Sequence, residues 1–252
     1  MKITVLAGEK AGKKGLKTDK EPSYLIRTGD RTLLYGFGTG KTVAENVEKT
    51  GVPCDFIDTA FLPRATVGKK SGLGAFLNAN RRANAYARVN AFDGHFVKGL
   101  FGYKSVGADN KFARYRRILR CKNYFLSPDG QFLLFSSAAQ AESGTGFFVK
   151  DGAGKYVPDD FSHELYLIVA EKKKCVLFCG ECRTGFSSVL EEAQRLASRH
   201  FGGKIAAAFA DSPALSAASA AAAGGVALYT VKRAGEKVEG LTVLLVGEER
   251  EI

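Results

Sequence analysis

Apolar positions along the chain repeat with two periods, and the switches between them predict alternating strands and helices. KITVLAG, residues 2–8, alternates as an opening strand does. SYLIRTGDRTLLYG, residues 23–36, reads as two short strands around Thr28-Gly29-Asp30, a hairpin signature. Thr42 to Lys49 reads as a helix closed by Gly51, and FIDTAFL, residues 56–62, as a buried strand. NAYARVNAF, residues 84–92, reads as a strand running into the start of a helix. KFARYRRILRCK, residues 111–122, sets Phe112, Tyr115, Ile118 and Leu119 at helical spacing, and a strand fits there too. YFLSPDGQFLLFSS turns as a hairpin at Pro128-Asp129-Gly130.

Farther on, ELYLIVAEKKKCVLFCG predicts a second hairpin, SSVLEEAQRLASRHFGG a helix and KIAAAFA a buried strand. Ser212-Pro213 opens an alanine-rich helix, with serine at the cap and proline in the first turn, and Gly224-Gly225 ends it. VALYTVK and LTVLLVG close the chain as strands. Strands outnumber helices but alternate with them, which predicts mixed α/β layers. No linker and no long repeat divides the sequence, so residues 1–252 are expected to form one domain.

Composition narrows the field only modestly. The chain has 252 residues, with apolar and charged fractions ordinary for a globular protein. No apolar run is long and pure enough to span a bilayer, and the start, MKITVLAGEK, is too soon charged for a signal peptide. The expectation is a cytoplasmic protein with no membrane partner. Five cysteines, an odd number, argue against a disulfide framework. The formal charge of +11 implies attraction to anions without choosing between nucleic acid and anionic metabolites.

Several motifs suggest chemistry. GFGTGKT, residues 36–42, ends like a phosphate-binding loop, but the first glycine of that motif belongs at position 35, which is Tyr35. A side chain there blocks the tight turn, so the stretch is not read as a nucleotide cradle. Cys179-Gly-Glu-Cys182 is a single CxxC without the further ligands a structural zinc needs, and reads as thiols at the end of a strand. His95, His163 and His200 lie far apart with no metal spacing, and His200 suits a helix end. KFARYRRILRCKNYF interleaves arginines with aromatics, as nucleic-acid surfaces and ordinary basic faces both do.

Taken together, SYLIRTGDRTLLYGFG, TVAENVEKTGV, IDTAFLPRATVGKKSGL and VPDDFSHELYLIVAEKKKCVLFCGECRTGFSSVL resemble, in order and spacing, the metallo-β-lactamase superfamily. The likeness is to its dihydropterin ribofuranosyl-aminobenzene phosphate synthase-like branch. It covers about two-thirds of the chain and is weakest over residues 100–150 and beyond 212. It implies an αββα sandwich, two mixed β-sheets face to face with helices outside. It also implies that GFGTGKT is the loop in which the family carries FDTG, with Gly36 in place of the aspartate.

The resemblance places the family's H-x-H-x-D-H zinc or iron ligands on Arg64, Thr66, Gly68 and Lys69. A later histidine ligand falls on Arg183 and the last near Ser212 or Pro213. None of these is a normal donor to a hard or borderline metal. The expectation is therefore a metal-free, cofactor-free protein that binds rather than hydrolyses. If the fold is kept, Arg64, Lys69 and Arg183 converge with Thr66 on a basic pocket for an anionic small molecule, phosphate or carboxylate. Two alternatives stand beside it. The basic groups could pair with Asp211, Glu181 or Asp160 in a dead site, or a metal-independent chemistry could be built on Cys182 and Lys69. Nucleic-acid binding is a further, less favoured reading.

Overall fold

A computed structural model describes residues 1–137, 145–211, 224–232 and 240–252. Within them the N-terminal half and the last strand of the chain build one seven-stranded sheet. Its strands are β1 (Lys2–Ala7), β2 (Ser23–Thr28), β3 (Arg31–Tyr35), β4 (Thr59–Phe61), β5 (Asn84–Arg88), β8 (Ile118–Cys121) and β18 (Glu249–Glu251). They run in the order β18-β1-β2-β3-β4-β5-β8. β2 and β3 pair Thr28 with Arg31 across the Gly29-Asp30 turn, and β3, β4, β5 and β8 continue in parallel.

The second seven-stranded sheet takes β9 (Tyr124–Leu126), β10 (Phe132–Phe135), β13 (Tyr166–Glu171), β14 (Lys174–Gly180), β15 (Lys204–Ala210), β16 (Ala227–Thr230) and β17 (Leu241–Val243). Their order is β17-β16-β15-β14-β13-β10-β9, with β14 to β17 parallel. Both sheets are thus mixed, as expected.

Period-two alternation decides which side chain enters which layer. Leu33, Phe61, Leu167, Val176 and Phe178 point between the sheets, where Phe178 stacks on Phe209 with centroids 4.9 Å apart. Their neighbours Leu34, Ala60 and Leu62 point outward, against α1 (Thr42–Lys49) and α2 (Leu73–Ala79). On the other side Ile168 and Leu177 meet α3 (Phe186–Phe201), whose Val189, Ala193, Leu196 and Ala197 form its apolar stripe. Strands buried on both faces therefore read as unbroken apolar runs, as VLF and AFL do. The result is helix, sheet, sheet, helix.

The sequence reading departs from the structure in three places. After β5 the chain turns rather than starting a helix. Of the two readings of 111–122 the strand holds, as β8, after a short 3-10 turn (Asn110–Arg114). The helix α2 was not expected. A third, four-stranded antiparallel sheet was not expected either: β12-β11-β6-β7, from β6 (His95–Gly99), β7 (Gly102–Ser105), β11 (Phe147–Lys150) and β12 (Tyr156–Pro158). The alanine-rich helix expected from Ser212 lies outside the described residues.

Amides of GFGTGKT that a phosphate cradle would need are already used within the protein. Gly36 N donates to Phe61 O, Thr39 N to the Asp19 carboxylate and Gly40 N to Lys70 O. Gly36 has φ +85°, and a Cβ there would lie 2.3 Å from Pro22 O. The glycine is required by close packing and a left-handed turn.

Candidate functional site

Parallel strands of the two sheets end on the same side, and the loops leaving them form one cluster. The loop after β4 brings Arg64 and Thr66, the turn after β14 brings Glu181 and Arg183, Asp211 follows β15, Lys232 lies just after β16, and Glu21 precedes β2.

Glu181 is the hub of this cluster. Its Oε2 accepts from Arg64 Nη1 at 2.8 Å and from Arg183 Nε at 3.2 Å, and its Oε1 accepts from Lys232 Nζ at 3.2 Å. Burial alone would raise the Glu181 pKa, but Arg64, then Lys232 and Arg183, hold it below the ordinary value. Arg64 is buried, and its remaining donors go to Glu21 Oε2 at 2.7 Å and Thr66 Oγ1 at 3.3 Å. The Arg183 guanidinium lies over the rings of Phe147 and Phe161, 5.5 and 5.8 Å from their centroids. Phe161 (φ +56°) and Cys182 (φ +53°) both sit in the left-handed region, unusual for such side chains.

Beside Arg64 is a cavity of about 20 Å³, room for the centre of roughly one water. Tyr24 and Asp211 line it, and among the described residues neither the Tyr24 hydroxyl nor Asp211 Oδ1 has a hydrogen-bond partner. Burial pushes the Asp211 carboxyl up to about 6, against the pull of Lys232 and Arg64. Glu164 is a second buried carboxyl, and it accepts from Tyr166 Oη at 2.6 Å and from Arg183 N at 3.1 Å. Burial still raises it to about 7.

The fold gathers two histidines that the sequence keeps apart. His95 Nδ1 lies 2.7 Å from Asp159 Oδ2, and His163 Nε2 lies 3.4 Å from the same oxygen. These donor atoms fall within 4.8 Å of one another, a spacing that suits a metal ion. The hydrogen bonds around the rings set where their protons lie. Ala65 N donates to His163 Nδ1 at 3.0 Å, so the neutral ring carries its proton on Nε2, facing Asp159. His95 turns Nδ1 to Asp159 and Nε2 to Asn90 O at 3.3 Å, so acceptors face both its nitrogens. His95 is hydrogen-bonded to Asp159, whereas His163 Nε2, 3.4 Å from the same oxygen, has no hydrogen-bond partner among the described residues; the bond from Ala65 N ties the His163 ring to the loop next to Arg64. Burial raises and the two histidines more strongly lower the Asp159 pKa, which ends well below the usual carboxylate range. Burial lowers that of His163.

Of the residues singled out in the sequence, Arg64, Thr66 and Arg183 meet around Glu181. Lys69 is exposed on the same loop, and its charge is felt at Asp109. Gly68 closes a turn with φ +68°, its N–H donating to Val106 O. Ser212 and Pro213 lie outside the described residues. Cys182 is buried and burial pushes its thiol well above the ordinary value, which works against a reactive thiolate. His200, at the end of α3, bonds Tyr124 Oη, and desolvation with Arg199 nearby lowers its pKa, so it is a poorer cation than a helix end favours. Sequence reasoning missed Lys232, Glu21, Tyr24 and Glu164; the last two lie inside segments that carry the resemblance, but at positions it gives no role.

This architecture superposes on solved structures along its whole length. Tm1679, a metal-dependent hydrolase of the beta-lactamase superfamily, matches with a TM-score of 0.75 at 18% identity, covering 100% of this chain and 99% of that one. The chain has the metallo-β-lactamase fold. The metallo-beta-lactamase fold protein YhfI from Bacillus subtilis matches with a TM-score of 0.56 at 12% identity, over 99% of each chain. Zn(2+)-bound PqqB from Methylobacterium extorquens matches with 0.56 at 11%, over 100% of each. No protein-family model and no curated protein matches the sequence.

A metallo-β-lactamase fold implies a metal site, and the positions to which the resemblance assigns its ligands carry side chains that do not fit one. Where the resemblance places donors, the chain has a guanidinium, a hydroxyl, a glycine, an ammonium and a second guanidinium. The Arg64 guanidinium, itself a cation, is bonded to two carboxylates there.

Proposed function

We propose that this metallo-β-lactamase-fold protein is metal-free and works by binding an anionic small molecule, a phosphate or a carboxylate, rather than by hydrolysis. The observation carrying this reading is the sharing of the Glu181 carboxylate by three cations, Arg64, Arg183 and Lys232. Arg64 has a second carboxylate in Glu21, whereas Arg183 and Lys232 reach Glu181 at 3.2 Å and keep 28% and 15% of their side chains exposed. A ligand carboxylate or phosphate would complete their donors, with the Arg183 fork suited to bidentate contact. Lys69, exposed on the adjoining loop, adds long-range attraction.

Isothermal calorimetry with inorganic phosphate and with small mono- and dicarboxylates tests the reading. Binding is expected in the wild type and should weaken at least about tenfold in Arg183→Ala/Lys232→Ala, as charge-assisted bonds would require. Binding of none of these anions, or equal binding by the variant, would discard it. So would stoichiometric zinc, iron or manganese in the purified protein.

A further inference from the structure

The third sheet carries a feature unrelated to the cluster around Glu181. Its β6–β7 hairpin turns in two residues, with Gly99 paired to Gly102, and the turn residues are Leu100 and Phe101. They are 98% and 104% exposed, the most exposed large apolar residues of the described chain. A tight turn ordinarily carries polar residues or glycine at these positions, so two bulky apolar side chains held in water call for a partner.

The scaffold beneath the tip is firm. By strand register Phe96, Tyr103, Phe148 and Tyr156 share one face, and Tyr103 stacks on Tyr156 with centroids 3.7 Å apart and planes 7° off parallel. Phe96 and Phe148 meet those rings edge-on, and Lys150 Nζ sits 5.1 Å from the Tyr156 centroid. The four strands, HFVKG, GYKS, FFVK and YVP, contain three lysines and no carboxylate. Lys98 and Lys104, both exposed, flank the tip directly.

We infer that this hairpin is a membrane-surface contact, with Leu100 and Phe101 inserting at the headgroup boundary of an anionic bilayer while Lys98 and Lys104 meet its phosphates. An apolar tip ringed by cations matches the chemistry of such a surface, with its apolar interior beneath negative headgroups. The chain's +11 charge adds to the attraction. Contact is at the surface, since no helix among the described residues is long and apolar enough to cross a membrane. Two other partners fit less well. A single-stranded nucleic acid needs open aromatic faces, yet Tyr103 and Tyr156 cover each other, and Leu100 has no face to stack. A second copy docked tip to tip would bring Lys98 and Lys104 of both copies together.

Two apolar side chains bury less than one acyl anchor, so binding should be reversible and dependent on charge. The test is co-sedimentation of the full chain with phosphatidylcholine vesicles, with and without phosphatidylserine. The wild type should partition onto the phosphatidylserine vesicles only, less so as salt rises. Leu100→Ser/Phe101→Ser should bind at least about tenfold more weakly, with an unchanged unfolding midpoint because neither side chain is packed. Lys98→Gln/Lys104→Gln should bind the phosphatidylserine vesicles more weakly, with a shallower dependence on salt. No partitioning by the wild type, or undiminished partitioning by the serine variant, would overturn the inference. So would a dimer, or an oligonucleotide complex, that the serine variant abolishes while vesicles bind neither protein.

Discussion

Glu181 shows how much one side chain can decide at this site. It is 9% exposed, and Arg64, Arg183 and Lys232 all depend on it. Taking one partner from a buried ion pair costs more than the pair is worth, because the remaining charge stays desolvated. Glu181→Gln keeps the volume and removes the charge, and is expected to cost about 3–5 kcal/mol in urea unfolding. A loss below about 1 kcal/mol would mean that the cations are adequately solvated and that the cluster is a surface network. Part of this was legible beforehand: Arg64, Thr66 and Arg183 were located by their motif positions, and Glu181 stood among their candidate partners. Lys232 and Glu21 were not, because each reaches the cluster from a different strand end with no local pattern to mark it. The same holds for His95 and His163, which sequence separation makes unrelated and the fold sets with ring centroids 4.4 Å apart.

At the level of elements, the glycine-rich loop after β3 separates local signal from tertiary cause. Gly36 and Gly40 belong to one motif and both have positive φ, +85° and +56°. An added Cβ at Gly36 would meet Pro22 O at 2.3 Å, whereas at Gly40 nothing lies within 4 Å. Gly40→Ala should therefore cost only the left-handed penalty, about 1–2 kcal/mol. Gly36→Ala must also move the backbone before β2, and should cost at least about 3 kcal/mol. Thermal unfolding of the two variants distinguishes them, and equal losses would contradict the packing role. The strands flanking this loop were readable because they are buried on both faces and apolar throughout. The third sheet was not, because its strands are three to five residues long and half-exposed, so neither run length nor clean alternation survives. Helix α2 has seven residues and no capping side chain, so it lacked a start signal.

The whole molecule integrates these sites through its dependence on pH. Asp211 and Glu164 have folded pKa values raised by burial, to about 6 from 3.8 and to about 7 from 4.5. A raised carboxyl favours the folded state while it is protonated, so this stability is complete below the unfolded pKa and is lost as pH rises through the folded one. Asp159 and Glu181 are lowered and contribute in the opposite sense, losing their stability as pH falls below about 4. His163, lowered by burial, also loses its contribution as pH falls below about 6.5. These opposed groups make the total profile a poor guide to any one of them, but the difference between wild type and Asp211→Asn isolates a single carboxyl. Relative to wild type, that variant should gain about 2 kcal/mol on going from pH 4 to pH 7, most of the energy of ionising a carboxyl whose pKa is raised by about two units. Urea midpoints at a series of pH values measure the difference. A difference that stays flat across this range would show that Asp211 ionises as freely in the fold as out of it. The cavity it shares with Tyr24 and Arg64 would then be wet enough to solvate a full charge, and an anionic ligand would have to compete with an ionised Asp211 at pH 5 as much as at pH 8. With the expected rise, Asp211 gains its proton as pH falls through 6, and a bound anion should be held more tightly at pH 5 than at pH 8.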